Sequence, residues 1–293
     1  MARSVSGGRI GALSVAGILA GTVLVGCGSD GGDTAGPAKG SSTPGSPGAR
    51  EPGTQAVRSA YDRTAEEDTA RVALKVRTSG GGAAVTANGE GVVDLDDGDS
   101  VMTVTAQGQR MEQRLIDQVL YQKPPAGQAP GGKPWIKIDL EKVAARQGAG
   151  GQSVNDPARS AALAKAIDDK DVTNKGPAEV GGVSTTRYRV TVDVAELPDG
   201  ARLSKQLGPA LPMDIWLDDE GRIRRQQVDM TVQAPAATGT GTGAKTASEP
   251  RKVTVRTVLE FSDFGTELEA DAPPAGQVTD MTARAAERGG TRT

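Results

Sequence analysis

Alternation of apolar and polar residues with a period of two recurs along most of this chain, and it limits the fold more than any other feature. Val72, Leu74 and Val76 alternate with Arg71, Ala73, Lys75 and Arg77. Ile136, Ile138 and Leu140 alternate with Trp135, Lys137 and Asp139, and Tyr188, Val190, Val192 and Val194 with Arg187, Arg189, Thr191 and Asp193. Met213, Ile215 and Leu217 oppose Asp214, Trp216 and Asp218, and Val253–Phe261 repeats the pattern. Successive side chains of a strand point to opposite faces, so each run reads as a strand with one buried and one solvent-facing side. On this reading Val190 is buried, whereas Arg189 is exposed and tolerant of substitution. The turn sequences Asp96-Asp97-Gly98-Asp99 and Asp218-Asp219-Glu220-Gly221 join neighbouring runs. Strands joined so tightly are antiparallel.

Two helices are expected. Thr54 caps a segment in which Val57, Ala60, Tyr61 and Thr64 recur at helical spacing, giving a helix over 54–67. Asp156 and Pro157 are N-cap and first-turn signals for a second over 156–170. Strands and helices are segregated, so the fold class is α+β, mainly antiparallel β. The missing βαβ alternation argues against a doubly wound nucleotide fold or an importer's substrate-binding subunit. Biased loops are expected at 123–134, 146–153 and 233–250, the last a mobile hairpin tip.

The N-terminus carries a different signal. Arg3 and Arg9 precede an apolar run, Ile10–Val25, that is interrupted by glycines and shorter than the ~20 residues of a bilayer span. It ends in Leu24-Val25-Gly26-Cys27, and Cys27 is the only cysteine of the chain. The tetrapeptide resembles the lipobox of bacterial lipoproteins. The resemblance implies cleavage after Gly26, a diacylglyceryl thioether on Cys27, and a protein held on the extracytoplasmic face of the cell membrane. Residues 1–26 are then a signal peptide and 27–53 a Gly/Ser/Pro-rich tether too polar to fold, with a coil span of roughly 28 Å. Residues 54–280 form the domain and 281–293 a flexible tail.

Composition removes whole classes of chemistry. The chain has no histidine, which excludes Ser-His-Asp triads and His-ligated metals. The acidic pairs sit at turn glycines, where Asp serves local backbone hydrogen bonding. No catalytic residue, metal or cofactor is expected. With seven aromatic residues there is little to stack sugars or bases on. Losing Arg3 and Arg9 takes the formal charge from −3 to −5, and a mildly acidic protein of this kind has no reason to seek nucleic acid or an anionic membrane surface. The aliphatic strand faces either pack solidly or line an apolar cavity.

Three ordered motifs bear on that choice. Gly182–Asp193 resembles the "Gv-x-Thr-x-x-Tyr-x-Val-x-Val-Asp" strand of the actinobacterial LppX/LprA/LprF/LprG-like lipoproteins. Leu211–Ile223 is similar to their "Pro-x-x-x-Trp-Leu-Asp-x-x-Gly" hairpin, and Phe261–Gly265 with Ala272-Pro273-Pro274 to their closing segment. The resemblance implies a strongly curved half-barrel sheet of LolA-like type, with helices over its concave face enclosing a cavity for the acyl chains of a lipid or glycolipid. Val72, Leu74, Val76, Tyr188, Val190, Val192, Met213, Ile215 and Leu217 are the candidate lining residues. An envelope transporter is the partner the resemblance implies. The alternative is an envelope sensor or protein-interaction module with a solid core and no lipid ligand.

Overall fold

The computed structural model of the chain describes residues 53–80, 83–146, 167, 169–197, 200–201, 204, 208–234 and 251–290. The signal sequence, Gly26, Cys27, the tether up to residue 52, most of the expected 156–170 helix and the 235–250 loop lie outside the described residues. No helix among the described residues is long and apolar enough to cross a membrane.

Helix α1 (Gly53–Ala65) leads into β1 (Thr69–Gly80), β2 (Ala83–Asp94), β3 (Ser100–Ala106), β4 (Gln109–Ile116), β5 (Val119–Lys123) and β6 (Trp135–Asp139). After helix α2 (Leu140–Arg146) come β7 (Val172–Val180), β8 (Val183–Asp193), β9 (Ala210–Leu217), β10 (Ile223–Ala234) and β11 (Arg251–Ser262). Strand β12 (Val278–Asp280) and helix α3 (Thr282–Gly290) complete the described fold.

All twelve strands belong to one open sheet in the order β12-β6-β5-β4-β3-β2-β1-β11-β10-β9-β8-β7. Two antiparallel meanders, β1–β6 and β7–β11, are thus stitched together along β1 and β11. Arg71 lies opposite Ser262 and Ser79 opposite Thr254 in that seam. Mainly antiparallel architecture with few helices agrees with the sequence reading. The parallel pairing of β12 with β6, Val278 beside Trp135, does not follow from local pattern, because three residues carry no measurable period.

The alternation divides the sheet into two faces. On the inner face, Val57 and Ala60 of α1 join Val72, Val93, Leu95, Tyr188, Val190, Val192, Met213, Ile215, Leu217, Leu259 and Phe261 in a single core cluster. Helix α1 is fixed at its C-terminal end by Thr64, whose hydroxyl donates to Ala60 O at 2.5 Å and accepts from Ile223 N at 2.8 Å. Arg58 donates to the carbonyl of Ile167, a buried residue of that core.

One boundary expectation is corrected. Residues 282–290 form α3 rather than continuing a flexible tail. Asp280 accepts from Thr282 N at 2.9 Å, an N-terminal cap. The Thr282 hydroxyl in turn accepts from Asp139 N at 3.0 Å, and Thr282 and Ala286 are buried. A cap and two anchored side chains outweigh the polar composition that reads as fraying.

Candidate functional site

Val72, Val76, Tyr188, Val190, Val192, Met213, Ile215 and Leu217 are all buried, and Leu74 is half-buried against them. The structure therefore gathers the nine candidate lining residues on one face of β1, β8 and β9. Val190, Val192 and Ile215 are 0% exposed, and they lie in the cluster that α1 packs against. Even the polar groups there are satisfied internally. Gln226 donates to Met213 Sδ at 2.9 Å, and the Tyr61 hydroxyl to the same sulfur at 3.9 Å.

Beyond α1 the face changes character. Leu74, Met102 and Val228 are only partly buried where they border the core. Val104, Met111, Leu115, Ile136, Ile138, Met230 and Val255 on the same face are likewise half-exposed. The paired registers from β6 to β1 and from β11 to β8 put one charged residue on that face, Arg251 at the start of β11 opposite Ala234. The sequence reading did not single out Met102, Val104, Met111 or Val228. Met102 and Val104 alternate with Val101, Thr103 and Thr105, so period alone does not say which set points inward.

Glycine shapes this part of the surface. Gly89 and Gly91 of β2 occupy inner-face positions beside Met102 and Leu74. A methyl group on Gly91 would meet the Val101 carbonyl oxygen and come within 2.8 Å of Met102 Cα. The two glycines let the Met102 side chain lie across β2, which no larger residue permits.

The outer face holds what the sequence reading missed. Asp214 and Trp216, expected in solvent, are 2% and 7% exposed. Arg187 is the register partner of Trp216, and Arg189 of Asp214. Arg189 donates to both carboxylate oxygens of Asp214 at 2.8 Å, and Arg187 Nε donates to one at 3.2 Å. Trp216 is covered by the guanidinium groups of Arg187, 5.1 Å from its ring centre, and Arg225, 5.0 Å away. Burial raises the Asp214 pKa, but the arginine hydrogen bonds and charges outweigh it and hold the carboxyl below its usual range. The legible signal was the match of Arg187-x-Arg189 with Asp214-x-Trp216 at equal spacing on successive strands.

Trp135 repeats the device on the other meander. It is 5% exposed, beneath Arg114 at 5.0 Å and Lys123 at 5.5 Å from its ring centre. Both tryptophans thus become outer-face core residues under cation lids.

The acidic turns serve the backbone. Asp94 accepts from Asp96 N and Asp97 N, each at 2.9 Å, and Asp218 accepts from Glu220 N at 3.1 Å and Arg222 N at 2.9 Å. Among the described residues no group of three or more His, Cys, Asp or Glu is placed to hold a metal ion. The geometry offers an apolar face, part packed and part open.

No family model matches the chain. A curated relative from Streptomyces griseus, described as an uncharacterized 31.2 kDa protein in the rplA-rplJ intergenic region, is 27% identical over 168 residues. The match covers 52% of this chain and 49% of that protein, so the chain spans about half the length of the curated relative it matches. Among solved structures, the fold is similar to the lipoprotein LppX of Mycobacterium tuberculosis, with 15% identity and a TM-score of 0.46 over 74% of this chain and 97% of that one. It is also similar to LprF from Mycobacterium bovis, with 15% identity and a TM-score of 0.42 over 75% and 96%. A LolA superfamily protein from Nitrosomonas europaea is 12% identical, with a TM-score of 0.23 over 73% and 93%.

Proposed function

We propose that the chain is an exported, Cys27-anchored lipoprotein that binds a lipid through acyl chains laid on the inner face of its sheet, and carries or presents it. One observation carries the reading. The inner face continues past α1 as an apolar surface of half-exposed Leu74, Met102, Val104, Met111 and Val228. At about 25 cal/mol per Å² of apolar surface covered, an acyl chain lying there gains several kcal/mol. Methionine suits such a surface, since its unbranched side chain adapts to chains of different length. The concave half-barrel with helices over it is the architecture this reading requires.

The full chain carrying Cys27→Ala has no acyl group of its own, so organic extraction of the purified variant reads the ligand alone. A lipid released at a fixed molar ratio, and reduced by Met102→Asp, supports the reading. A chain that releases no lipid and takes up no fluorescent fatty-acyl probe is a solid-core module.

A further inference from the structure

The charges of this domain are sorted by position, although their total is mildly acidic. One end of the sheet holds the turn after α1 (Glu66, Glu67, Asp68), the β2–β3 turn (Asp94, Asp96, Asp97, Asp99), the β9–β10 turn (Asp218, Asp219, Glu220) and Asp263 after β11. Register places these together. Thr69 at the start of β1 pairs with Asp94, and Arg71 with Ser262 beside Asp263. Arg71, Arg222 and Arg224 answer only part of this charge.

The outer face toward the opposite end of β1 and β11 is cationic. Arg77 is the register partner of Arg256, Lys75 lies two residues along β1, and Lys252 lies four residues along β11 on the same face. Lys75, Arg77, Lys252 and Arg256 are exposed. Arg256 is paired with Asp229, Nε to Oδ1 2.6 Å, while Lys75, Arg77 and Lys252 engage no carboxylate among the described residues. The other carboxylates facing this row are Glu260, which pairs with Arg225, and the exposed Glu90.

The point where the chain enters the domain lies away from the acidic end. Helix α1 begins at Gly53 against Tyr188 and Val172, and runs about 20 Å before it reaches the acidic turn after Ala65. Residues 27–52 therefore join the domain at its less acidic end, and a coil of that length spans roughly 28 Å.

We infer that the cationic outer face around Lys75, Arg77, Lys252 and Arg256 docks the domain on an anionic phospholipid surface, with the acidic turns pointing away from it. The inference rests on the proposed function in one respect, that Cys27 is the membrane attachment point. A net charge of one sign does not oppose it, because at physiological salt the potential decays over ~8 Å and each end of the domain meets the membrane separately. Anionic leaflets attract juxtamembrane cations and repel the carboxylate-rich turns, so the two ends give an orienting torque. A tether alone holds the domain near the lipid without selecting which face meets it; the sorted charge selects one. The inner apolar face of the sheet is then turned away from the bilayer plane, free to exchange ligand with a partner.

The test uses the full-length acylated protein reconstituted in vesicles, where acylation of Cys27 leaves any introduced cysteine as the sole thiol. A fluorophore is attached after Thr254→Cys, on the cationic face, or after Asp219→Cys, at the acidic turn. Lipids carrying a nitroxide on the headgroup serve as the quencher. In vesicles with about one-third phosphatidylglycerol, quenching at position 254 is expected to exceed that at 219 several-fold. The contrast should vanish in pure phosphatidylcholine, at 1 M salt, and in the double variant Lys75→Glu/Arg77→Glu. The double variant Arg146→Glu/Arg284→Glu has the same net charge with the reversals elsewhere, and should keep the contrast. Equal quenching at both positions in anionic vesicles, or a contrast indifferent to salt and lipid charge, overturns the inference. Intact mass of the same preparation tests the anchor by itself. A chain without the acyl group is scored by flotation with the same two vesicle types, where failure to float with anionic vesicles also overturns the docking.

Discussion

Replacement of Arg189 by Asp separates the structure from the sequence pattern most sharply. By alternation alone Arg189 is a solvent-facing residue whose reversal changes stability by less than ~0.5 kcal/mol. In the fold it supplies two of the three hydrogen bonds that hold Asp214, a carboxylate only 2% exposed. Removing one partner of a buried pair costs about 3–5 kcal/mol, reduced here because the Arg189 side chain is 42% exposed and Arg187 stays. The reversal adds repulsion between two carboxylates roughly 5 Å apart across the β8–β9 register, about 3 kcal/mol at an effective dielectric near 20. We therefore expect Arg189→Asp to lose about 3–5 kcal/mol in urea unfolding at pH 7, and Arg189→Gln about half as much. The pH dependence follows from the depressed Asp214 pKa. Its folded value lies below the ~3.9 of an unfolded chain. The stabilisation is thus complete above about pH 4 and is lost as pH falls through the folded value. The Arg189→Asp deficit should accordingly shrink at pH 3, because two facing carboxyls without Arg189 between them take up a proton more readily than either alone. A loss within 0.5 kcal/mol at pH 7, or a deficit unchanged at pH 3, refutes the buried network.

Other measurements test other parts of the structure. Val190→Asp places a charge at a 0%-exposed core position and should abolish the cooperative unfolding transition, read by circular dichroism. Gly91→Ala forces a methyl onto the Val101 carbonyl and Met102, and should cost about 1–3 kcal/mol in denaturant unfolding despite the entropy it removes from the unfolded chain. Ile215→Trp overfills the closed core beneath α1 and should lose a similar amount, whereas Met102→Trp on the open part of the face should change stability little and lower bound lipid. Burial and the neighbouring Asp97, Asp94 and Asp68 raise the Asp96 pKa, so its charge opposes folding above the unfolded value. Asp96→Asn should raise Tm slightly at pH 7, a gain that disappears below about pH 4.

The sequence made the strands and their inner faces readable because period two is a local property. Val72, Tyr188, Val190, Val192 and Ile215 each sit in a run long enough to show it. What local pattern cannot carry is which strand lies beside which. The β1–β11 seam joins residues far apart in the chain, and it is this pairing that sets Arg77 beside Arg256. In the same way, Asp214 and Trp216 read as solvent-facing until β8 and β10 supply the arginines that cover them. Helix α3 was hidden for a related reason, since its anchoring depends on Asp139 and β6 rather than on its own composition. The open part of the inner face was the least legible. Whether Met102 or Thr103 points inward depends on the β2–β3 register, in which Gly91 is the partner of Met102.

The two faces also solve different physical problems. A sheet that leaves apolar surface open forgoes the burial that would otherwise stabilise those strands, and uncovered apolar patches invite aggregation. The outer face offsets part of that loss, because Trp135 and Trp216 are buried there beneath paired cations rather than left in the interior. Each tryptophan buries on the order of 200 Å² of surface that the inner face does not need to supply. The cations that cover them, Arg114, Lys123, Arg187 and Arg225, are themselves partly exposed, so the outer face keeps charge at its boundary with water while gaining a second apolar layer. Truncating Arg187 or Arg225 to Ala should therefore reduce stability by uncovering Trp216 and leave lipid content per folded molecule unchanged. Parallel loss of bound lipid and stability in these variants would mean that the two faces are not independent.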